Sequence, residues 1–117
     1  MQTLLILNDA PYGSERTYNG VRLALAMLKV DPAAEITLFL LGDAVGAAKA
    51  GQTTPEGYYN LELMLGRVLH GKGSVMLCGA CMNARGLQDA EMVAGVEKST
   101  MDALAQRTLE SDRVLIF

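Results

Sequence analysis

The sequence predicts an α/β domain in which a mostly parallel sheet of about five strands is covered by helices on both faces. Short apolar runs alternate along the chain with stretches whose apolar residues recur at helical spacing. The apolar runs show no polar alternation, which is typical of central strands buried on both faces. A length of 117 residues corresponds to one domain, residues 1–117. We therefore expect a single three-layer α/β/α domain.

The first strand–helix unit begins with the apolar run Thr3–Leu7, which predicts a buried strand. Turn-forming residues follow at 8–13, and Ser14 is expected to cap the next helix. Proline cannot continue a helix, so Asp31-Pro32 marks the end of this one. Its inner face is a stripe at i, i+3, i+4 and i+7 spacing, formed by Val21, Ala24, Leu25 and Leu28.

The second unit starts with the apolar run Ile36–Leu41, which is the second predicted strand. Asp43 is expected to cap a short helix of small residues that ends before the loop at 51–57. The next helix is predicted to begin at Asn60 and to end at Gly71. Its inner face is expected to consist of Leu61, Met64, Leu65 and Val68.

The last third of the chain is expected to hold three short strands and three helices, the first of which opens after Gly79. The run Val75-Met76-Leu77 predicts the third strand, and residues 87–95 predict a short helix before a very short strand at Val96. Ser99 is expected to cap the final helix, and residues 113–117 predict the last strand. The predicted inner face of the final helix consists of Met101, Leu104, Ala105 and Leu109.

Composition and charge limit the partners that we expect for this chain. The net charge is −3 and there is no cluster of Lys and Arg, which argues against nucleic acid. No apolar run approaches the roughly 18 residues that cross a bilayer, and residues 1–4 lack the features of a secretory signal. We therefore expect a cytoplasmic protein without a membrane partner. An apolar content of 50% favours self-association.

Candidate chemistry is concentrated at Cys78 and Cys81, which are spaced as Cys-x-x-Cys directly after the third predicted strand. In open α/β sheets, ligands bind outside the carboxyl ends of the strands. A helix opening after Gly79 and a cation from Arg85 would both lower a thiol pKa, so Cys78 is the predicted reactive thiolate. Sulfur carriage, dithiol redox chemistry and half of a metal site remain open, as does a pair of inert buried cysteines.

Other residues at the same edge are candidates for the rim of a site. Tyr12 and Ser14 lie in the loop after the first strand, and Asp43 follows the second strand. We therefore expect a shallow site bounded by Tyr12, Asp43 and Cys78, although the rim residues are also ordinary turn and capping residues. A structural zinc site needs four ligands, and the chain adds only His70 to its two cysteines. We expect no metal and no other cofactor.

Five segments spread over the whole chain carry a family resemblance. They are Ala10-Pro-Tyr-Gly-Ser-Glu-Arg16, Leu38-Phe-Leu-Leu-Gly-Asp-Ala-Val45, Gly51-Gln with Gly57-Tyr, Leu77-Cys-x-x-Cys-x-x-x-Arg-Gly86 and Ser111-Asp-Arg-Val-Leu-Ile-Phe117. Together they resemble the DsrE/DsrF-like family, and within it the YchN-like branch. The resemblance implies a flavodoxin-like fold and assembly into homohexamers.

The resemblance also implies a function in sulfur relay, in which sulfur is carried as a persulfide on the cysteine matching Cys78. Sulfur-donor and sulfur-acceptor proteins would then be partners. N–H groups after Gly79 and the cation of Arg85 are expected to stabilise the anion, and Cys81 to resolve the persulfide by forming a disulfide. The alternatives are a non-catalytic oligomeric binding module and a dithiol redox protein.

Overall fold

Five parallel strands form one central sheet in the computed structural model, which describes residues 1–117. The predicted three-layer α/β architecture is confirmed. The strand order is β4-β3-β2-β1-β5, which differs from the 2-1-3-4-5 order of flavodoxin itself. The strands are β1 (Gln2–Leu7), β2 (Glu35–Leu40), β3 (Ser74–Cys78), β4 (Glu97–Ser99) and β5 (Arg113–Ile116).

Helices cover both faces of this sheet. Gly20 on one helix lies against Leu7 of β1, whereas Arg107 on another reaches Thr37 on the opposite face of β2. No helix is both long and apolar enough to span a bilayer. The helices are α1 (Arg16–Val30), α2 (Leu61–His70), α3 (Gly79–Ala84) and α4 (Met101–Glu110), with two 3₁₀ segments at Gly42–Ala48 and Asp89–Glu91.

The core is built from the central strands and the inner faces of α1 and α2. On α1 the predicted stripe is buried except at Leu25, which is half-buried. On α2 all four predicted positions are buried. The Asn60 side chain accepts a hydrogen bond from the Leu63 N–H at 3.1 Å, which confirms the predicted cap of α2. Hydrophobic periodicity therefore located these two helices correctly.

Two predicted caps are wrong by one position, and both have a local cause. The N-cap residue of α1 is Glu15 and it makes no side-chain capping bond. Ser14 lies one residue earlier, where its hydroxyl donates to a carboxylate oxygen of Asp9 at 2.8 Å. Thr100, not Ser99, caps α4, because the Thr100 hydroxyl is the one that accepts an N–H of the first turn.

The inner face of α4 is narrower than the sequence predicts. Leu104 is the only buried residue of this helix. The helix is also attached by Arg107, whose guanidinium donates to the Thr37 hydroxyl at 3.0 Å. One buried leucine, the partly buried Ala103 and a polar contact therefore attach α4 to the sheet. The other three positions of the predicted stripe are exposed: Met101, Ala105 and Leu109.

The stretch between α3 and β4 contains less helix than predicted. Residues 87–95 contribute only the 3₁₀ segment Asp89–Glu91, and β4 starts at Glu97, one residue after the predicted strand at Val96. Backbone bonds tie this stretch to the other 3₁₀ segment, since the Val93 N–H donates to the Ala48 carbonyl at 2.8 Å. These tertiary bonds replace the local bonds of a longer helix.

Candidate functional site

Cys78 ends β3 and is at the same time the N-cap residue of α3. Its sulfur accepts a hydrogen bond from the Cys81 N–H at 3.2 Å. Cys78 is 8% exposed, Cys81 is partly exposed, and both thiols are free. The predicted sequence of strand, cysteine and helix start is confirmed, and it lies at the carboxyl edge of the sheet.

Gly79 allows α3 to lie directly against β4. A Cβ atom at this position would lie 3.0 Å from Lys98 Cε and 3.1 Å from the Ser99 carbonyl oxygen. Ser99 is also the residue that pairs with Cys78 in the β3–β4 register. The edge strand therefore closes the site beside Cys78, and a side chain at residue 79 would push that edge away.

Arg85 connects α3 to the neighbouring strand β2. Its Nε and Nη2 atoms donate to one carboxylate oxygen of Asp43 at 3.1 and 2.8 Å, and Nη1 donates to the Cys81 carbonyl at 3.1 Å. Asp43 lies in the first turn of the 3₁₀ segment Gly42–Ala48, whose N-cap residue is Leu41, so its predicted capping role is wrong. Arg85 was expected to fold towards Cys78, but its hydrogen bonds go to Asp43 and to Cys81.

The two thiols have different electrostatic environments. Burial raises the pKa of the Cys78 thiol, and the N–H groups of Cys81 and Ala80 oppose this effect only in part. Burial also acts to raise the pKa of Cys81, but the Cys78 thiol, the Gly42 N–H and the charge of Arg85 outweigh it and lower that pKa. The sequence predicted a lowered pKa at Cys78, whereas the structure places it at Cys81.

Gly42 is a site residue that sequence reasoning missed. It has a positive φ of 55°, and a Cβ atom there would lie 3.7 Å from the Asn8 carbonyl oxygen and 4.0 Å from Arg85 Nη2. Its N–H is one of the groups that lower the pKa of Cys81. One feature of the sequence could have identified Gly42 as a site residue: it is a glycine directly after the apolar run of β2, at the edge of the sheet where ligands bind.

The remaining predicted site residues lie elsewhere. The Tyr12 hydroxyl donates to the Gln52 side chain and accepts from the Leu61 N–H at 3.1 Å, so it points to the loop before α2. Ser14 bonds to its own loop, and His70 lies in the last turn of α2, before the amino end of β3. No three side chains of His, Cys, Asp or Glu are grouped to hold a metal ion.

All four tyrosines form one cluster, a feature that the sequence did not indicate. Tyr59 stacks on Tyr18 and on Tyr58 with ring centroids 4.0 and 4.6 Å apart, and Tyr12 lies 5.8 Å from the Tyr59 ring. Aromatic stacks at these separations stabilise the contact beyond the area that they bury. The cluster therefore joins the loop after β1, helix α1 and the residues before α2.

Tyr12→Phe is expected to lower the free energy of unfolding by about 1–2 kcal/mol, because a buried N–H and an amide oxygen each lose a partner. The partners are the Leu61 N–H and the side-chain oxygen of Gln52. The side-chain nitrogen of Gln52 also donates a hydrogen bond to the Ala47 carbonyl at 2.7 Å. Urea denaturation measures the change. Tyr18→Phe is the matched control, since the Tyr18 hydroxyl has no hydrogen-bond partner; equal losses in the two variants contradict the prediction.

Comparison with known proteins supports the resemblance over the whole chain. The sequence profile of the DsrE/DsrF-like family matches residues 1–117. Protein YchN of Escherichia coli (strain K12) is 42% identical over 118 aligned positions, which cover 100% of both chains. The uncharacterized protein MJ0989 of Methanocaldococcus jannaschii is 37% identical over 117 positions, again covering 100% of both.

Solved structures agree with this assignment. The crystal structure of the E. coli ychN protein matches 100% of both chains with a TM-score of 0.93 and 42% identity. The structure of MTH1491 from Methanobacterium thermoautotrophicum, a protein of unknown function, also covers 100% of both chains, with a TM-score of 0.80 at 10% identity, and so shares the fold alone. On the sequence profile and on these relatives, the chain belongs to the DsrE/DsrF-like family.

Proposed function

We propose that this protein carries sulfane sulfur on the Cys78–Cys81 pair. The observation that carries the proposal is the placement of two free thiols at the carboxyl edge of a parallel sheet, with the Cys81 N–H 3.2 Å from the Cys78 sulfur. N–H dipoles and a nearby arginine favour sulfur anions, and Arg85 is bonded to the same helix turn. The resemblance to sulfur-relay members of the family supports the same function.

The transfer is an exchange between sulfur atoms. A thiolate of the pair attacks the outer sulfur of a donor persulfide, R–S–SH; a new S–S bond forms, the donor's S–S bond breaks, and the donor leaves as a thiolate. An acceptor thiolate repeats the same step. When the second cysteine instead attacks the protein-bound sulfur of the persulfide, a Cys78–Cys81 disulfide forms and hydrogen sulfide is released.

Sulfur loading tests the proposal directly. After incubation with a cysteine desulfurase and cysteine, mass spectrometry of the tryptic peptide 73–85, which contains both cysteines, is expected to show a one-sulfur adduct. The Cys78→Ser/Cys81→Ser variant is expected to show none. The same variant with Ala33→Cys, which adds an exposed thiol in the turn before β2 and away from the apolar face of α4, controls for loading of any accessible thiol. Absence of the adduct from the wild-type protein overturns the proposal.

A dithiol redox function is the second candidate, because Cys78 and Cys81 lie together at the start of α3. Its test is the equilibrium of the dithiol with glutathione. A potential near that of the glutathione pool, with exchange to thioredoxin, supports this function. A potential far below that of the pool, without exchange, excludes it.

We also propose that the protein assembles with copies of itself, for which the resemblance implies a homohexamer. Leu109 is 88% exposed and Met101 is 61% exposed, and with Ala105 they lie four residues apart along one face of α4. Val30 and Ile116 are 85% and 69% exposed on other elements. Such exposed apolar surface favours an interface.

Light scattering is expected to give the mass of six chains of 12.5 kDa, and the mass of one chain contradicts self-association. The variant Met101→Lys/Leu109→Lys is expected to reduce the assembled fraction. Asp102→Asn/Glu110→Gln, on neighbouring exposed positions of α4, is the control, because it changes the net charge by the same amount without altering the apolar face. Assembly without any sulfur adduct favours the non-catalytic binding module among the functions considered.

A further inference from the structure

We infer that Cys81, rather than Cys78, is the sulfur that first attacks the donor persulfide, an inference that rests on the proposed function. The sequence and the resemblance both pointed to Cys78 for this step. Three observations favour Cys81: access to its sulfur, the position of Arg85 along α3, and the contacts that hold the guanidinium there.

Cys78 and Cys81 differ in their exposure to solvent. Attack on a persulfide needs the attacking sulfur in line with the S–S bond that breaks, so one side of that sulfur must be open. Cys78 is 8% exposed, with β4 on one side and the Cys81 N–H on its sulfur. Gly79, the residue after Cys78, packs closely on β4, since a Cβ atom there would lie 3.0 Å from Lys98 and 3.1 Å from Ser99. Cys81 is the partly exposed member of the pair.

Charge favours the same sulfur. Arg85 follows Cys81 by four residues, so both lie on one face of the helix turn, whereas Cys78 is seven residues away. The guanidinium is fixed in this place because it donates to the Cys81 carbonyl and, through two nitrogens, to Asp43. A cation held in this way favours the thiolate form of its neighbour. The lowered pKa of Cys81 agrees with this geometry.

The order of steps follows from this assignment. The Cys81 thiolate bonds to the donor's outer sulfur, the donor's S–S bond breaks, and the donor leaves as a thiolate. The outer sulfur of the Cys81 persulfide then turns towards Cys78 and lies between the two cysteine sulfurs. The Cys78 sulfur attacks it in line with the Cys81 S–S bond, that bond breaks, and the Cys78 proton passes to the Cys81 thiolate. The carried sulfur then resides in the less exposed position, where the resemblance places it.

Limited alkylation distinguishes the two thiols without any sulfur donor. The wild-type protein is treated with less than one equivalent of iodoacetamide at neutral pH, and fragment ions of peptide 73–85 assign the label. Cys81 is expected to react at least about tenfold faster than Cys78. Equal rates, or faster labelling of Cys78, overturn the inference while leaving the proposed function intact.

Substitutions of Arg85 test its contribution to the reactivity of the Cys81 thiol. Arg85→Gln is expected to slow the labelling of Cys81 by about three- to tenfold and to move its pH profile upward, and Arg85→Lys to restore the rate in part. Arg67→Gln removes an exposed arginine of α2 that has no ion pair, and it is the matched control. An unchanged pH profile in Arg85→Gln overturns the assigned role of Arg85.

Sulfur loading of the single variants completes the test. Cys78→Ser is expected to retain the one-sulfur adduct, now on Cys81, whereas Cys81→Ser is expected to lose it. Loading of Cys81→Ser at the wild-type level overturns the inference. Loss of the adduct from the wild-type protein is a separate result, because it contradicts sulfur carriage itself and leaves the alkylation order untouched.

Discussion

Phe39→Ala is expected to lower the free energy of unfolding by about 4 kcal/mol, the largest effect that we predict for a single substitution. Phe39 lies in β2, the middle strand of the sheet, and is fully buried. The close-packed interior relaxes only in part when a large side chain is removed, so a cavity adds to the lost burial. Urea denaturation followed by circular dichroism measures the loss.

Ile116→Ala is the matched control for this variant. Ile6 of β1 pairs with Phe39 on one side and with Ile116 on the other, so the two residues share one register row of the sheet. Ile116 is 69% exposed, and we expect its loss to change the stability of the protomer by less than about 0.5 kcal/mol. Similar losses of stability in the two variants would contradict the difference in burial between Phe39 and Ile116.

Gly20→Ala is expected to lower the free energy of unfolding by about 2 kcal/mol, although alanine normally stabilises a helix. Gly20 lies in the middle of α1 and is buried. An added Cβ atom would clash with the Leu7 side chain and lie 3.3 Å from the ring of Phe117. Since Leu7 is itself fully buried, it has little room to move. Helix α1 must therefore shift away from the sheet.

Gly66→Ala tests this reasoning in the opposite direction. Gly66 lies in the middle of α2, and an added Cβ atom there meets no atom within 4 Å. The variant is expected to gain about 0.5–1 kcal/mol from helix propensity alone. Thermal and urea unfolding of both alanine variants give the comparison. A stabilised Gly20→Ala protein contradicts the close packing of α1 on β1.

The strands and the first two long helices were predictable because a single physical signal specifies them. A strand buried on both faces must be apolar throughout, as Leu38–Leu40 is, and a helix on the sheet must repeat its apolar residues every three or four positions. Those signals lie within short windows of sequence. The positions of α1 and α2 could therefore be predicted without knowing which strands are neighbours in the sheet.

Helix α4 shows where this signal fails. Its apolar residues do share a face, but periodicity does not tell whether that face meets the sheet of the same chain. Of the predicted stripe, only Leu104 is buried in the core, and Leu109 at the C-terminal end of the stripe is exposed. The cap of α4 was missed because Ser99 and Thr100 are adjacent and either could cap the helix. The cap of α1 was missed because the Ser14 hydroxyl donates to Asp9 in its own loop.

The site was predictable in its position but not in its contacts. Cys78 was placed correctly at the end of β3 by the apolar run before it. The hydrogen-bonding partner of Arg85 depends on the strand order. Asp43 follows β2, and it can contact α3 only because β2 lies next to β3. The local hydrophobic periodicity of the sequence contains no information about strand order. For this reason the cation was assigned to Cys78 instead of Cys81.

The placement of β5 beside β1 affects how the chain can fold. The Gln2 N–H bonds to Asp112, 110 residues later, and no two neighbouring strands of this parallel sheet are joined by a hairpin. Contacts between such distant segments form slowly. During synthesis, one edge of β1 therefore stays without its hydrogen-bonding partner until residues 113–116 leave the ribosome, and an unpaired edge favours aggregation. Nascent or truncated chains are thus the species most prone to misassembly.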